Sequence, residues 1–552
     1  MLWLALHLPA LSLESWAATR GPDQAGRPLA LLHAHLVLHA DAAARARGVR
    51  PGMKRATALA LVSDLLLAAA DARRDTEALR AVAHVALGFS PSVTWAPPAG
   101  TAATPATAAV AAATPALVGV RLEVQSCLRY FGGLPALLAR LREALAPLGH
   151  QVRIASAPTA LGAALLAGWR DDLALGAHSS GPDARQALQP LLDVLPLALL
   201  GAGQAQAAAL QGMGLHTLAD LRRLPRDGLA RRFGTTLLAD IDRARGHAPE
   251  AHAWLTLPLR FTSRLELMCR ADTSAQVLAG ARVLLARLVA WAGARQGRIA
   301  RFTLVMHHEP RHRRDSETPI ATPLLIAPAE PAADAEHLYS LLAERLGRLP
   351  LAAPALELSL QCTHLVAGAP PNGELFASHA SEREGLARLV ERLQARLGIE
   401  QVQRLSPVAD HRPECGTCWQ PADPARLGAP PGGAGQAAPS APSAISGPSA
   451  PSATSPPPLH VQAQALATQP LWLLPQPRPL PERAQRPLLD GQPLQLLAGP
   501  ERLETGWWDA AGPAVRDYFI AQAASGALVW VYRHRLPADD AGPGWFLQGL
   551  FA

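Results

Sequence analysis

Leu117-Val118-Gly119-Val120-Arg121-Leu122-Glu123-Val124 runs straight on into Gln125-Ser126-Cys127-Leu128-Arg129-Tyr130-Phe131-Gly132-Gly133. The first half is apolar enough to read as a buried strand, and the second ends on a glycine pair. The chain opens on a run of the same kind, Leu2-Trp3-Leu4-Ala5-Leu6-His7-Leu8-Pro9-Ala10-Leu11. Two strands like these form rigid platforms that can hold a pair of catalytic metals at their ends. Two-metal phosphoryl transfer needs at least two or three acidic ligands in such a place. Glu123 is the one acid these stretches supply. The frame points to nucleic acid, and its contents argue against chemistry.

At 552 residues the chain is too long for one core, so three or more domains are expected. With 49% hydrophobic and 17% charged residues it has the composition of a globular protein, and its net charge is +7. Arg supplies nearly all of the positive charge, a balance that fits contact with nucleic acid and also a coding bias toward Arg and Ala. No apolar run of about 18 residues suggests a membrane span. The N-terminus lacks a basic segment and Glu14 interrupts its apolar stretch, so no signal peptide is expected and the cytoplasm is the expected location. Cys127, Cys269 and Cys362 stand alone in apolar patterns. Cys415 and Cys418 form a CxxC near His411, but no second pair follows to complete a zinc site. Neither metal nor cofactor is expected.

Residues 97–116 are an uncharged Ala/Pro/Thr stretch read as a loop. Residues 427–460, dominated by Gly, Pro, Ser and Ala, cannot bury enough apolar surface to order themselves and read as a tether. Within the body, Thr76 to Leu87 has helical spacing, and Leu199 to Gly246 looks all-helical. Gln276–Trp291 and Glu382–Leu397 read as amphipathic helices beside strand-like runs at Arg301–Met306 and Leu356–Leu360. That repetition predicts an α+β domain with two helices on one face of a sheet.

Several motifs, in order, resemble Y-family (translesion) DNA polymerases. Gly48-Val49-Arg50-Pro51-Gly52-Met53 with Ala56, Ala58 and Asp64-Leu65 resembles their fingers segment. Glu123 to Gly133 resembles the palm segment just after the catalytic Asp-Glu pair, and Arg153-Ile154-Ala155-Ser156 with Ala163–Ala167 the next palm strand and helix. Met213-Gly214-Leu215-His216-Thr217-Leu218-Ala219-Asp220-Leu221 resembles the thumb's helix-hairpin-helix. The resemblance implies an α+β multidomain fold. Palm and fingers would span 1–190 (fingers about 20–75), a helical thumb 191–252 and an α+β little finger 253–410. A flexible linker at 420–468 and a small β-rich C-terminal interaction module at 469–552 would follow.

The resemblance places the family's first Asp-x-Asp at His7 and Pro9 and its Asp-Glu pair at Val118 and Gly119. A Tyr that touches the triphosphate falls at Ala42, a phosphate-binding Lys at Thr159, and Arg45 alone survives from that set. Loss of these carboxylates removes both metal sites, and His7 is no substitute because Mg²⁺ prefers oxygen ligands. A polymerase-like body without its acids, a long linker and a distinct tail resemble the catalytically inactive, UmuC-like ImuB branch of the family, which belongs to a bacterial SOS mutagenesis cassette. The tail phrases that match are Pro470–Pro475, Gly499–Asp509, Arg516–Phe519 and Gly544–Phe551. The resemblance implies four partners: primer-template DNA, the sliding clamp, the RecA-like protein ImuA and an error-prone C-family polymerase.

Within that frame the hairpin is the best local DNA signal. Gly212 and Gly214 supply tight backbone, and Arg222, Arg223, Arg226, Arg231 and Arg232 supply charge beside it. Such hairpins turn backbone N–H groups toward phosphate without reading sequence. The bland alternative is a helical hairpin with a solvated basic face. For the clamp, Asn372-Gly373-Glu374-Leu375-Phe376 fits a Gln-x-x-Leu-Phe peptide except for Asn in place of Gln. Gln469-Pro470-Leu471-Trp472-Leu473-Leu474 is its rival. Trp507, Trp508, Tyr518, Phe519, Trp530, Tyr532, Trp545 and Phe546 concentrate in the tail, where most should build a small β-rich core. The leading expectation is a non-catalytic scaffold. Its rivals are an active translesion polymerase whose metals sit on displaced acids, and a plain DNA-binding module whose tail has no partner.

Overall fold

The computed structural model describes residues 1–96, 117–173, 182–201, 203, 206–309, 319–368, 379–424, 469–508, 513–535 and 544–551. They form two compact units, Met1–Arg396 and Leu397–Ala552.

The two quoted apolar runs are neighbours at the centre of the first sheet. Its order is Val93–Ala96, Gly119–Glu123, Trp3–His7, Arg153–Ala157, with every pair antiparallel. Leu4, Leu6, Val120, Leu122 and Ile154 share one core with the helices Ala72–Leu87 and Leu134–Leu145. Trp3, Ala5, Ala155 and Ala157 share another with the helix Ala160–Trp169 and the helical region that follows it. Both faces are covered, which is why these strands read as continuous apolar runs instead of alternating. Each Leu fully buried here, such as Leu6 or Leu137, contributes about 1.5–3 kcal/mol.

Helix Ala72–Leu87 also carries His84, which is 3% exposed and has no partner for its Nδ1. Burial, and then the charge of Arg80, push its pKa down to about 4 from the usual 6.5. The unfolded chain protonates this ring near 6.5 and the folded chain near 4. Stability is therefore fully present above pH 6.5 and is lost as pH falls toward 4. The expected loss is about 3 kcal/mol. Urea unfolding across that window should show it, and His84→Gln should flatten this part of the profile.

A smaller sheet, ordered Leu36–Ala40, Leu29–His33, Leu66–Ala69, packs with the short helices Ala42–Ala46 and Arg55–Leu61 around Ala30, Val37, Val49 and Ala58. A second large sheet is ordered Ala321–Ile326, Gly297–His308, Ala355–Ala367, Phe261–Ala271. Both expected strand runs lie in it, and both expected helices occur, as Ser274–Ala294 and His379–Leu397. A third helix, Ala335–Arg348, adds Leu338, Leu341, Leu342 and Leu346 to the same core, so the expected pair is a trio. Ser274–Ala294 is long and apolar enough to cross a membrane by length and composition, yet its Leu284, Leu288 and Trp291 sit in this core. Its Gly280 has no room for a side chain, because a Cβ would lie 2.5 Å from Leu267.

The second unit begins at Leu397, so the boundary expected near 410 falls inside it. A hairpin, Gln403–Pro407 with Thr417–Pro421, precedes a five-stranded sheet ordered Trp472–Leu480, Trp545–Leu550, Leu528–His534, Ala514–Gln522, Gln495–Thr505. Glu414, in the loop of that hairpin, pairs with Arg516 at 2.8 Å and accepts from Gln548 Nε2 at 3.1 Å. Gln548 is fully buried, and Arg516 lies over the Tyr532 ring and donates to the Tyr518 hydroxyl at 3.1 Å. Tyr518, Trp530, Tyr532, Trp545 and Phe546 are core residues of this sheet, whereas Trp507 and Trp508 are exposed.

Candidate functional site

At one end of the first sheet, His7 stands directly opposite Gly119 on one side and Arg153 on the other. Its Nδ1–H donates to the Val118 carbonyl oxygen at 3.1 Å, which fixes the ring tautomer. Burial outweighs that bond and, with the nearby Arg153 charge, holds the His7 pKa below its ordinary value, so the ring is neutral at neutral pH. Pro9 and Val118 are half-buried at the same end, where the Leu8 amide reaches the Val118 carbonyl at 3.4 Å. At Gly119 the two strands come so close that a Cβ would lie 2.3 Å from the Leu6 carbonyl oxygen. The Arg153 guanidinium lies beside the strand ends, the wrong sign for a metal pair, and on that edge Asp171 is taken up by the Ile154 amide at 2.7 Å and by Arg142 at 2.9 Å.

Glu123 lies at the opposite end, paired across from Trp3. Four residues of strand, roughly 13 Å, separate it from Gly119. Its carboxylate accepts from the amides of Gln125 (3.1 Å) and Leu2 (3.4 Å), a backbone-anchoring role. Among the described residues no group of three or more His, Cys, Asp or Glu is arranged to hold a metal ion.

Thr159 follows Ala157, which pairs with Trp3, so it too is at the far end of the sheet from His7. Its hydroxyl donates to the Ala244 carbonyl at 2.7 Å and caps the helix Ala160–Trp169 at the Gly162 amide. The chain returns to the His7 end only at the C-terminus of that helix, where Arg153 donates to the Gly168 carbonyl at 3.2 Å. Arg45 is exposed on the helix Ala42–Ala46, which Asp41 caps through the Ala44 amide.

The region expected to be all-helical has helices Ala207–Gly212, Leu218–Arg222, Arg226–Phe233 and Thr235–Arg245. Gly214 takes φ +73, the left-handed conformation its turn requires. The backbone amides of the hairpin are already engaged. Met213, Gly214 and Leu215 donate back to the preceding helix, and His216 and Thr217 donate to the Asp220 carboxylate. These bonds hold the Asp220 carboxyl below the usual range. What the region presents is therefore its arginine charge. Arg222 is paired with Asp193 at 3.1 Å, Arg223 with Asp220 at 3.8 Å, and Arg226 with Asp242 through two bonds. Arg231 and Arg232 are exposed and pair with no carboxylate among the described residues. Sequence reasoning weighted the five alike, because it could not see which acids lie across the fold.

Sequence reasoning also missed a partly buried charged cluster on the first sheet. Arg121 projects from the central strand toward Asp240 and Glu250, and burial pushes its pKa down. Glu250 accepts from the Leu161 amide at 3.1 Å, and His252 and Trp254 lie against Trp3, with ring centroids 4.5 and 6.1 Å away. An Arg in an otherwise apolar strand was the available signal.

Asn372, Gly373, Glu374, Leu375 and Phe376 lie outside the described residues. Of the rival segment, Trp472 and Leu473 are built into the sheet edge, opposite Leu550 and Gly549. Leu471 and Trp472 remain exposed there. Cys415 and Cys418 are half-buried free thiols, outside any metal-binding cluster among the described residues.

Residues 12–167 match the impB/mucB/samB family. The chain is 30% identical over 521 residues to Protein ImuB of Caulobacter vibrioides, covering 91% of this chain and 100% of that one, and Protein ImuB of a second strain matches equally. Similar solved structures include a DinB family error-prone DNA polymerase from Sulfolobus solfataricus, at 14% identity and a TM-score of 0.34. The insertion ternary complex of Dbh DNA polymerase matches at 15% identity and a TM-score of 0.35. Each of these covers 67% of this chain and 100% of the other. With near-full-length similarity to Protein ImuB and an impB/mucB/samB region at its start, the chain belongs to the ImuB family of UmuC-like, Y-family homologues.

Proposed function

We propose that the chain is a non-catalytic, polymerase-derived scaffold of DNA-damage tolerance. It binds primer-template DNA and the sliding clamp, and it recruits ImuA and an error-prone C-family polymerase for SOS translesion synthesis and induced mutagenesis. The observation that carries this reading is the strand end where His7, Gly119 and Arg153 meet. It offers a neutral imidazole, a position without space for a side chain, and a cation. Among the described residues no cluster of acids stands there to hold the metal ions that neutralise developing charge in phosphoryl transfer. The displaced-acid alternative loses support because Glu123 is occupied by backbone amides at the other end of the strand.

For DNA, the two unpaired thumb arginines are the sharper assignment. Arg231→Gln/Arg232→Gln is expected to weaken duplex binding about tenfold at moderate salt. The slope of log K against log salt should fall by about 1.8, since each phosphate contact contributes about 0.9. Arg226→Gln should do less, because that guanidinium is already bound to Asp242. Fluorescence anisotropy across a salt series checks both.

For the clamp, Leu375 and Phe376 are assigned as the apolar anchors. Pull-down of the clamp by wild type and by Leu375→Ala/Phe376→Ala tests this, with capture expected to be lost in the double variant. Retained capture would move the assignment to Gln469–Leu474. Co-purification of ImuA or a C-family polymerase through residues 469–552 tests the recruiting role.

A further inference from the structure

Two adjoining cavities, about 670 and 430 Å³, open side by side along the helix Ala72–Leu87, where the strand Phe261–Ala271 and the helix Ser274–Ala294 meet it. Glu77, Arg80, Thr262 and Arg287 line both, so they form one groove. Six arginines face it (Arg73, Arg74, Arg80, Arg260, Arg264 and Arg287), against the four carboxylates of Asp71, Glu77, Glu266 and Glu357.

Three of those acids are already committed. Asp71 caps its helix through the Arg73 amide, Glu77 holds Arg80 and accepts from Ser263, and Glu357 pairs with Arg264 at 3.0 Å. Arg74 and Arg287 are only 6% and 5% exposed. Glu266, Asp71 and Asp75 act on Arg74 and Glu77 on Arg287 at a distance, but among the described residues neither guanidinium hydrogen-bonds a carboxylate. Arg74 donates to the carbonyls of Ser15 and Glu266 and lies 3.4 Å from the centre of the Trp16 ring, while its Nε has no acceptor. Arg287 donates to Ser263 Oγ at 3.1 Å and to the Arg264 carbonyl at 3.4 Å. Buried cations that no carboxylate touches directly are costly, and a bound anion lowers that cost.

We propose that this groove is a phosphate-binding site, which takes the phosphate of a single nucleic-acid strand or of a free nucleotide between Arg74, Arg80 and Arg287. Burial pushes the Arg287 pKa down to about 10; Glu77 pulls it back, and the charges of Arg74 and Arg80 add to the lowering. A bound anion would offset the burial cost and that repulsion. Trp95 lines the same groove with Arg80 near its ring, a surface on which a base can stack beside its own phosphate.

The strand arm rests on the nucleic-acid reading above, and the free-nucleotide arm does not. The test uses the full chain and the exposed-side variant Arg80→Gln/Arg264→Gln, with Arg287→Gln as the harsher change, each checked for an unaltered thermal melt. Binding of fluorescent oligo-dT is followed across salt, ATP and pyrophosphate are titrated by calorimetry, and a DNA duplex serves as control. With a strand as the ligand, oligo-dT affinity falls about tenfold and its salt slope by about 0.7 in Arg80→Gln/Arg264→Gln, which removes one of the three proposed phosphate contacts, while duplex binding is unchanged. With a free nucleotide as the ligand, ATP and pyrophosphate binding disappears instead. Folded variants that bind all three ligands as wild type does would overturn the proposal. So would competition by an acidic peptide alone. Loss of duplex binding only in Arg231→Gln/Arg232→Gln would leave the two sites separable.

Discussion

Gly119→Glu is expected to destabilise the first unit and to confer no nucleotide incorporation, even combined with His7→Asp, Pro9→Asp and Val118→Asp. The four changes restore every acid that the family resemblance places at the strand ends. Side-chain identity is only part of what is missing. A Cβ at 119 would lie 2.3 Å from the Leu6 carbonyl oxygen, so the strands must separate before any side chain fits. The pairing that sets this distance also positions His7 opposite Gly119. Overpacking of that kind costs roughly 3 kcal/mol or more, with a buried carboxylate added to it. Arg153 would then compete with a metal for the new acids. A urea midpoint for the single variant and primer extension for the fourfold variant check the two halves of the expectation. Incorporation by the fourfold variant would mean that the acids alone had been lost and that the frame is intact.

Glu414→Ala is expected to have the largest effect in the second unit, about 3 kcal/mol. The carboxylate bridges Arg516 and Gln548, tying the loop of the hairpin Gln403–Pro407/Thr417–Pro421 to the five-stranded sheet. Its removal leaves Arg516, whose side chain is 12% exposed, without a counter-charge beside Tyr518 and Tyr532. Attraction to Arg516 and the bond from Gln548 outweigh burial and hold the Glu414 carboxyl below its ordinary range. That contribution is present at neutral pH and is lost as pH falls through the depressed folded value. Hydrogen exchange on the full chain reads the effect locally, with faster exchange expected in the strands Ala514–Gln522 and Trp545–Leu550. A deletion of 397–424 should behave similarly, because the hairpin is part of the module across a gap in sequence. Unchanged exchange in both strands would mean that the sheet stands without the hairpin.

The central strands were legible because burial on both faces makes most of their positions apolar, with His7, Arg121 and Glu123 the exceptions, and the long helices because their leucines recur at three- and four-residue spacing. The same spacing was present at Leu338, Leu341, Leu342 and Leu346, and its helix completes the second sheet's cover. The edge strand Ala321–Ile326 was less visible, since Pro323 and an exposed Leu325 interrupt its pattern. At the candidate site, residue identity showed that positions 7, 9, 118 and 119 carry no acid, but register decided which end each position occupies. Thr159 and Glu123 both belong to the Trp3 end, a fact carried by cross-strand pairing. Arg226 and Arg231 look alike in sequence, and only the fold brings Asp242 to the first and leaves the second unpaired. Glu414 sits in an unremarkable polar stretch, and its partners lie more than a hundred residues away.

On the proposed reading this polymerase-like frame performs no polymerisation. Primer extension by the purified full chain, with Mg²⁺ or Mn²⁺ and all four deoxynucleotides, decides it. No incorporation is expected with either metal from a preparation that still binds the primer-template. Incorporation that survives rigorous removal of contaminating polymerases would overturn the reading and make the protein an enzyme.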